Sequence, residues 1–131
     1  MSASVAPFLM FEGQAEAAMS LYTSLFENSQ VLDVERYGPE GPGPEGSIVK
    51  AAFTLNGRLH HCIDSPSKHD FSFTPAISLF TECETEAELD RLFEALSTDG
   101  QVLMPLDTYP FARKFAWIVD RFGVSWQLRL A

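Results

Sequence analysis

The stretch AFTLNGRLHHCID (residues 52–64) decides how this chain folds, because a second version of it, AWIVDRFGVSWQLR (residues 116–129), follows later. Laid together, Phe53 falls on Trp117, Leu59 on Val124, His61 on Trp126 and Ile63 on Leu128, with one extra residue in the second turn. Each version reads as a β-hairpin. In the first, Asn56-Gly57 tolerates positive φ at both central positions of a two-residue turn. In the second, DRFG (120–123) makes the reversal.

Working outward, the same order of elements precedes each hairpin. VAPFLMF (5–11) predicts a buried strand, and Gly13 opens a helix on which Ala15, Ala18, Met19, Tyr22, Leu25 and Phe26 form one apolar stripe. QVLDVERY (30–37) predicts a strand, and GPEGPGPEG (38–46) a flexible connecting loop, since glycine and proline together oppose regular pairing. After the linker SPSKHDFSFTP (65–75) the pattern restarts with the strand AISLFTEC (76–83). The helix TEAELDRLFEAL carries a capping box, Thr85 with Glu88, an apolar stripe of Leu89, Leu92, Phe93 and Leu96, and a stop at Gly100. QVLMPLD is a strand and TYPFA a loop. The expected architecture is α+β: one domain, residues 1–131, built from two βαβββ modules at about 5–64 and 75–131.

Alternation then assigns faces. Val124, Trp126, Leu128 and Leu130 belong under the helix of their module, which leaves Ser125, Gln127 and Arg129 turned away from it. Transferred through the repeat, Leu59, His61 and Ile63 face the helix, while His60, Cys62 and Asp64 face away. His60, Cys62, Asp64, Gln127 and Arg129 are therefore the expected lining of a cleft, joined by Tyr109 and Phe111, placed either to stack on a ligand or to fill a dimer interface. His60 would titrate near neutral pH. His61 is expected in the core with a hydrogen-bond partner, Cys83 as packing, and His69 exposed.

Composition excludes several classes. Nine basic against eighteen acidic residues give a net charge of −9, the wrong sign for nucleic-acid phosphates or an anionic membrane. No apolar run is long enough to span a bilayer, and the first residues lack the pattern of a secretory signal. Two cysteines far apart, Cys62 and Cys83, point to reduced thiols. The expected location is the cytoplasm.

Three segments carry a family resemblance: PFLMFEGQAEAAMSLYTSLF, RYGPEGPGPEGSI and DRFGVSWQL. From about residue 5 to 130 the chain resembles the vicinal-oxygen-chelate superfamily, which holds glyoxalase I, extradiol dioxygenases and bleomycin- and fosfomycin-resistance proteins. Within it the chain is similar to the PhnB-like branch, often labelled demethylubiquinone methyltransferase. The resemblance implies an incomplete mixed β-barrel around a cleft and a homodimer. In the superfamily's enzymes a divalent metal sits in the cleft, on two ligands per module, one at the start of the first strand and one in the last strand. Those places fall at or next to Pro7 and Pro75, and at Cys62 and Gln127. Proline offers no donor, so the expectation is a small-molecule-binding protein with no cofactor. Were a metal held, His60, Cys62 and Gln127 would hold it, and the activity would be that of a glyoxalase-type lyase, isomerase or transferase. Sequestration of a cationic antibiotic is a further reading, compatible with the net charge. Methyl transfer is opposed by the lack of a Gly-x-Gly turn between any strand and helix.

Overall fold

A computed structural model describes residues 2–131. The chain divides into two compact units, the first running to His69 and the second from Asp70 to Ala131. The first contains β1 (Phe8–Phe11), α1 (Ala15–Leu25), β2 (Gln30–Arg36), β3 (Ile48–Leu55) and β4 (Arg58–Asp64). The second contains β5 (Leu79–Cys83), α2 (Glu86–Ser97), β6 (Gln101–Tyr109), β7 (Ala112–Val119) and β8 (Ser125–Leu130). Strand order is β1-β4-β3-β2 in one sheet and β5-β8-β7-β6 in the other. In both, the first strand runs parallel to the last and the remaining pairs are antiparallel. The duplicated βαβββ organisation read from the sequence is therefore present, as two open mixed sheets. No helix among the described residues is long and apolar enough to cross a membrane.

Each helix buries one stripe on its own sheet. Ala15, Ala18, Met19 and Tyr22 of α1 are buried, as are Leu89, Leu92 and Leu96 of α2. Each large apolar side chain so buried stabilises its unit by roughly 1.5–3 kcal/mol. The helices start differently. Thr85 Oγ1 accepts the Glu88 amide at 3.1 Å, and Glu88 Oε1 accepts the Glu84 amide at 3.0 Å, so α2 is capped within its own first turn. Gln14, at the start of α1, caps nothing with its side chain. Asp64 does that work from the end of β4, accepting the amides of Gly13 and Ala15 on Oδ1 and of Ile48 on Oδ2, each at 2.9 Å.

Three local readings change. The loop 38–46 is a folded turn: Tyr37 and Ser47 pair through their backbones, and the Tyr37 ring lies against Gly41 and Gly43, where a Cβ would stand 2.8 Å from ring carbons. Residues 76–78 precede β5 rather than belonging to it, and β6 continues to Tyr109, which shortens the TYPFA loop to a tight turn. Gly100 does follow α2, but Asp99 takes the left-handed conformation (φ 59°), and Gly100 is needed because a Cβ there would run into the Val119 carbonyl.

Candidate functional site

The Asn56-Gly57 turn forms as read, with both residues at positive φ (50° and 76°). A two-residue turn fixes register, pairing Leu55 with Arg58, Thr54 with Leu59 and Phe53 with His60. Phe53 is buried and packs near Tyr22 of α1, with ring centroids 6.3 Å apart. Its partner His60 is drawn to the same side and stacks on it at 5.1 Å. His60, Cys62 and Asp64 therefore face α1 and are buried, while Leu59 and His61 are exposed. This reverses the faces expected for β4. The cause is a slip of one residue in the repeat: the pairs Phe53–His60 and Ile118–Trp126 show that His60, not His61, corresponds to Trp126. Because side chains alternate, one residue of slip inverts the whole strand.

The three buried groups have structural duties. His60 Nδ1 donates to the Arg58 carbonyl at 2.9 Å. Burial pushes its pKa down, an effect that the Arg58 carbonyl opposes and the neighbouring His61 reinforces. Burial, with the Asp64 carboxylate next in importance, pushes the Cys62 thiol up to about 12, which makes it a poor nucleophile. Burial likewise pushes Cys83 up to about 11. His69 is half-buried, with Nε2 2.8 Å from Ser65 Oγ, rather than exposed.

The last strand of the second unit follows the expected faces. Lys114 bonds Asp90 of α2 at 2.7 Å, which marks the helix side of β7; Lys114, Ala116 and Ile118 pair with Leu130, Leu128 and Trp126. Trp126 is buried there and donates to Asp120 Oδ2 at 2.9 Å. The opposite face presents Gln127, with Phe80 and Trp117 as its neighbours on β5 and β7. Four polar groups connect on it. Trp117 Nε1 donates to Ser125 Oγ at 2.9 Å, Ser125 Oγ lies 2.7 Å from Ser78 Oγ, and Gln127 Nε2 donates to Ser78 Oγ at 3.3 Å. Beside this network Phe80 is 56% exposed.

One rung along, Arg129 pairs with Glu82 at 2.6 Å and donates through Nε and Nη2 to the Phe111 carbonyl at 3.2 and 3.0 Å. This holds the β6–β7 turn in place. Tyr109 and Phe111 stack on each other at 5.5 Å, and both meet the edge of Phe115. Gln127, Arg129, Tyr109 and Phe111 belong to the second unit, and His60, Cys62 and Asp64 to the first, where they face α1. The sequence offers no cue for Ser78, which precedes its strand, or for Phe80, which reads as an ordinary strand residue; Trp117 is masked because the repeat alignment matches it to the buried Phe53.

The corrected register also moves the metal places that the superfamily resemblance implies. The counterpart of Gln127 is His61, and the adjoining first-strand positions are Phe8 and Phe80. Phenylalanine has no lone pair to give, and His61 and Gln127 bring no carboxylate, so these residues do not fit a hard divalent ion. Pro75 lies in the turn before β5. Among the described residues no three His, Cys, Asp or Glu side chains gather at ligand spacing. In the first unit a cavity of about 200 Å³, lined by Gly13, Pro44, Asp64, Ser65 and Lys68 among others, opens beside the capped start of α1.

Set against known proteins, residues 3–129 match the family described as 3-demethylubiquinone-9 3-methyltransferase. The chain is similar to the PhnB protein of Bacillus cereus, a candidate 3-demethylubiquinone-9 3-methyltransferase. The two are 54% identical over 98% of this chain and 100% of that one, with a TM-score of 0.97. Protein PA1353 of Pseudomonas aeruginosa is 27% identical over 98% of both chains, with a TM-score of 0.85. The fosfomycin-resistance protein FosX of Listeria monocytogenes, solved with Mn(II), shares the fold at 12% identity over 98% of this chain and 92% of that one, with a TM-score of 0.64. No protein of curated function matches.

Proposed function

Because the chain belongs to the 3-demethylubiquinone-9 3-methyltransferase (PhnB) family and has the glyoxalase/bleomycin-resistance fold, we propose that it binds a small molecule, without a metal, on the face of the second sheet turned from α2. The reading rests on the half-buried network of Ser78, Trp117, Ser125 and Gln127 set beside the exposed Phe80 ring. A few fixed polar groups next to open apolar surface are what a small-molecule site requires. Arg129, Tyr109 and Phe111 form its border. Free thiols at Cys62 and Cys83 suit the cytoplasm, and a homodimer is the assembly in which we expect the protein to act.

Methyl transfer, the activity in the family's description, would need a seat for a methyl donor. The strand–glycine–helix turn that could cradle a nucleotide, β1 to α1 through Gly13, has the Gly13 and Ala15 amides already taken by Asp64. In the test, ¹⁵N-labelled protein is titrated with a panel of small aromatic compounds while the two indole N–H resonances are followed, Trp117 being assigned through Trp117→Phe. Saturable movement of the Trp117 signal, with Trp126 still, is the expected result. A panel that never moves Trp117, or calorimetric binding of S-adenosylmethionine, would refute the reading.

A further inference from the structure

Hydrogen accounting orients the network. An indole N–H can only donate, so Ser125 accepts from Trp117. Ser125 is buried, and Ser78 is the one other polar group among the described residues that its hydroxyl reaches, so the Ser125 proton goes to Ser78. Ser78 Oγ then accepts from both Ser125 and Gln127 Nε2, which fills its lone pairs. Among the described residues, its own proton has no acceptor and Gln127 Oε1 has no donor. Both residues are half-buried rather than sealed. The chain of bonds thus ends in one outward O–H and one outward C=O, side by side, with Phe80 next to Gln127. Two positions along the same strands, Arg129 and Glu82 pair with each other.

We propose that this donor–acceptor pair selects an uncharged, planar ligand carrying an acceptor and a donor together, as a carboxamide does, over its anionic or cationic counterpart. The proposal rests on the site reading above and adds its polarity. A carboxylate would meet the Gln127 carbonyl oxygen with like charge, and an amidinium would meet the Ser78 proton.

Benzamide, benzoate and benzamidine share one ring and differ in this group alone, so they are the probes. Dissociation constants come from the Trp117 indole resonance. Benzamide is expected to bind roughly three- to tenfold more tightly than either charged probe, the range of one hydrogen bond made or lost. Ser78→Ala, which removes the outward proton and leaves the Gln127 carbonyl, should abolish the preference over benzamidine while that over benzoate persists. Gln127→Glu, which offers only acceptors, should turn it towards benzamidine. If none of the probes moves Trp117, the site itself is misplaced and the proposal falls with it. If all three bind within twofold of one another, the site stands and its polarity is overturned. A preference for benzoate would mean that the Gln127 amide presents nitrogen outward, which also overturns the proposal.

Discussion

Asp64 offers the sharpest test of which way β4 faces. Its carboxylate is buried and accepts three backbone amides, those of Gly13, Ala15 and Ile48. Asp64→Ala strands all three at once. Two of these bonds are buried and one is partly exposed, so water can serve only the Gly13 amide. An unsatisfied buried donor costs roughly 1–3 kcal/mol, which gives about 3–5 kcal/mol for the substitution once water at Gly13 and some relaxation are allowed. That is a large share of the 5–15 kcal/mol typical of a folded domain. Asp64→Asn should fall between, by about 1–3 kcal/mol, because its Oδ1 can still serve α1 while its amide nitrogen would oppose the Ile48 N–H. Urea unfolding followed by far-ultraviolet circular dichroism reads both values. If Asp64→Ala unfolded within about 1 kcal/mol of the parent, the carboxylate would be a solvent-facing group and the assignment of this strand would be wrong.

Other consequences are open to simple measurements. His60 has a lowered pKa in the folded chain, so below its ordinary value of 6.5 the unfolded chain gains a proton that the folded chain resists. Stability should be full above that pH and decline as pH falls from 6.5 towards the depressed value; thermal melts of His60→Leu should show a flatter slope over this window. Gly100→Ala meets the Val119 carbonyl, which is backbone and cannot swing aside, and should cost about 1–3 kcal/mol, visible as a melting point lower by several degrees. With thiols pushed up to about 12 and 11, Cys62 and Cys83 should ignore a thiol reagent such as Ellman's at pH 8 and react in full only after denaturation. Rapid labelling of either thiol in native protein would contradict the burial described for it.

Much of the fold was legible because its signals are local. The Asn56-Gly57 turn, the Thr85–Glu88 capping box and the stripes on both helices each lie within a few residues. The faces of β8 were readable because Trp126, Leu128 and Leu130 alternate with polar residues. In RLHHCID the alternation is chemically ambiguous, and matching Phe53 to Trp117 as aromatic to aromatic set the strand one residue out. The correction was present in the sequence: a two-residue turn at 56–57 places Phe53 opposite His60, which binds their faces together. Asp64 was a different case. Nothing near it in the chain indicates that the start of α1, 49 residues away, will lie against it. The polar network has the same origin, since Ser78 and Ser125 are 47 residues apart and meet only through the parallel pairing of β5 with β8.

The unlike caps of the two helices bear on the order in which the chain acquires its shape. The instructions that begin α2 are contained in one turn, so that helix can nucleate as soon as Thr85 to Glu88 exist together. The start of α1 depends on a carboxylate at the far end of β4, and closing so long a loop comes only after the hairpin it belongs to has assembled. Pulse-labelling hydrogen exchange during refolding should accordingly find the amides of α2 protected ahead of those of α1. Simultaneous protection would show that sheet assembly sets the pace for both. Two halves of common pattern would then have diverged in tempo, one self-starting and the other waiting on its neighbour strand.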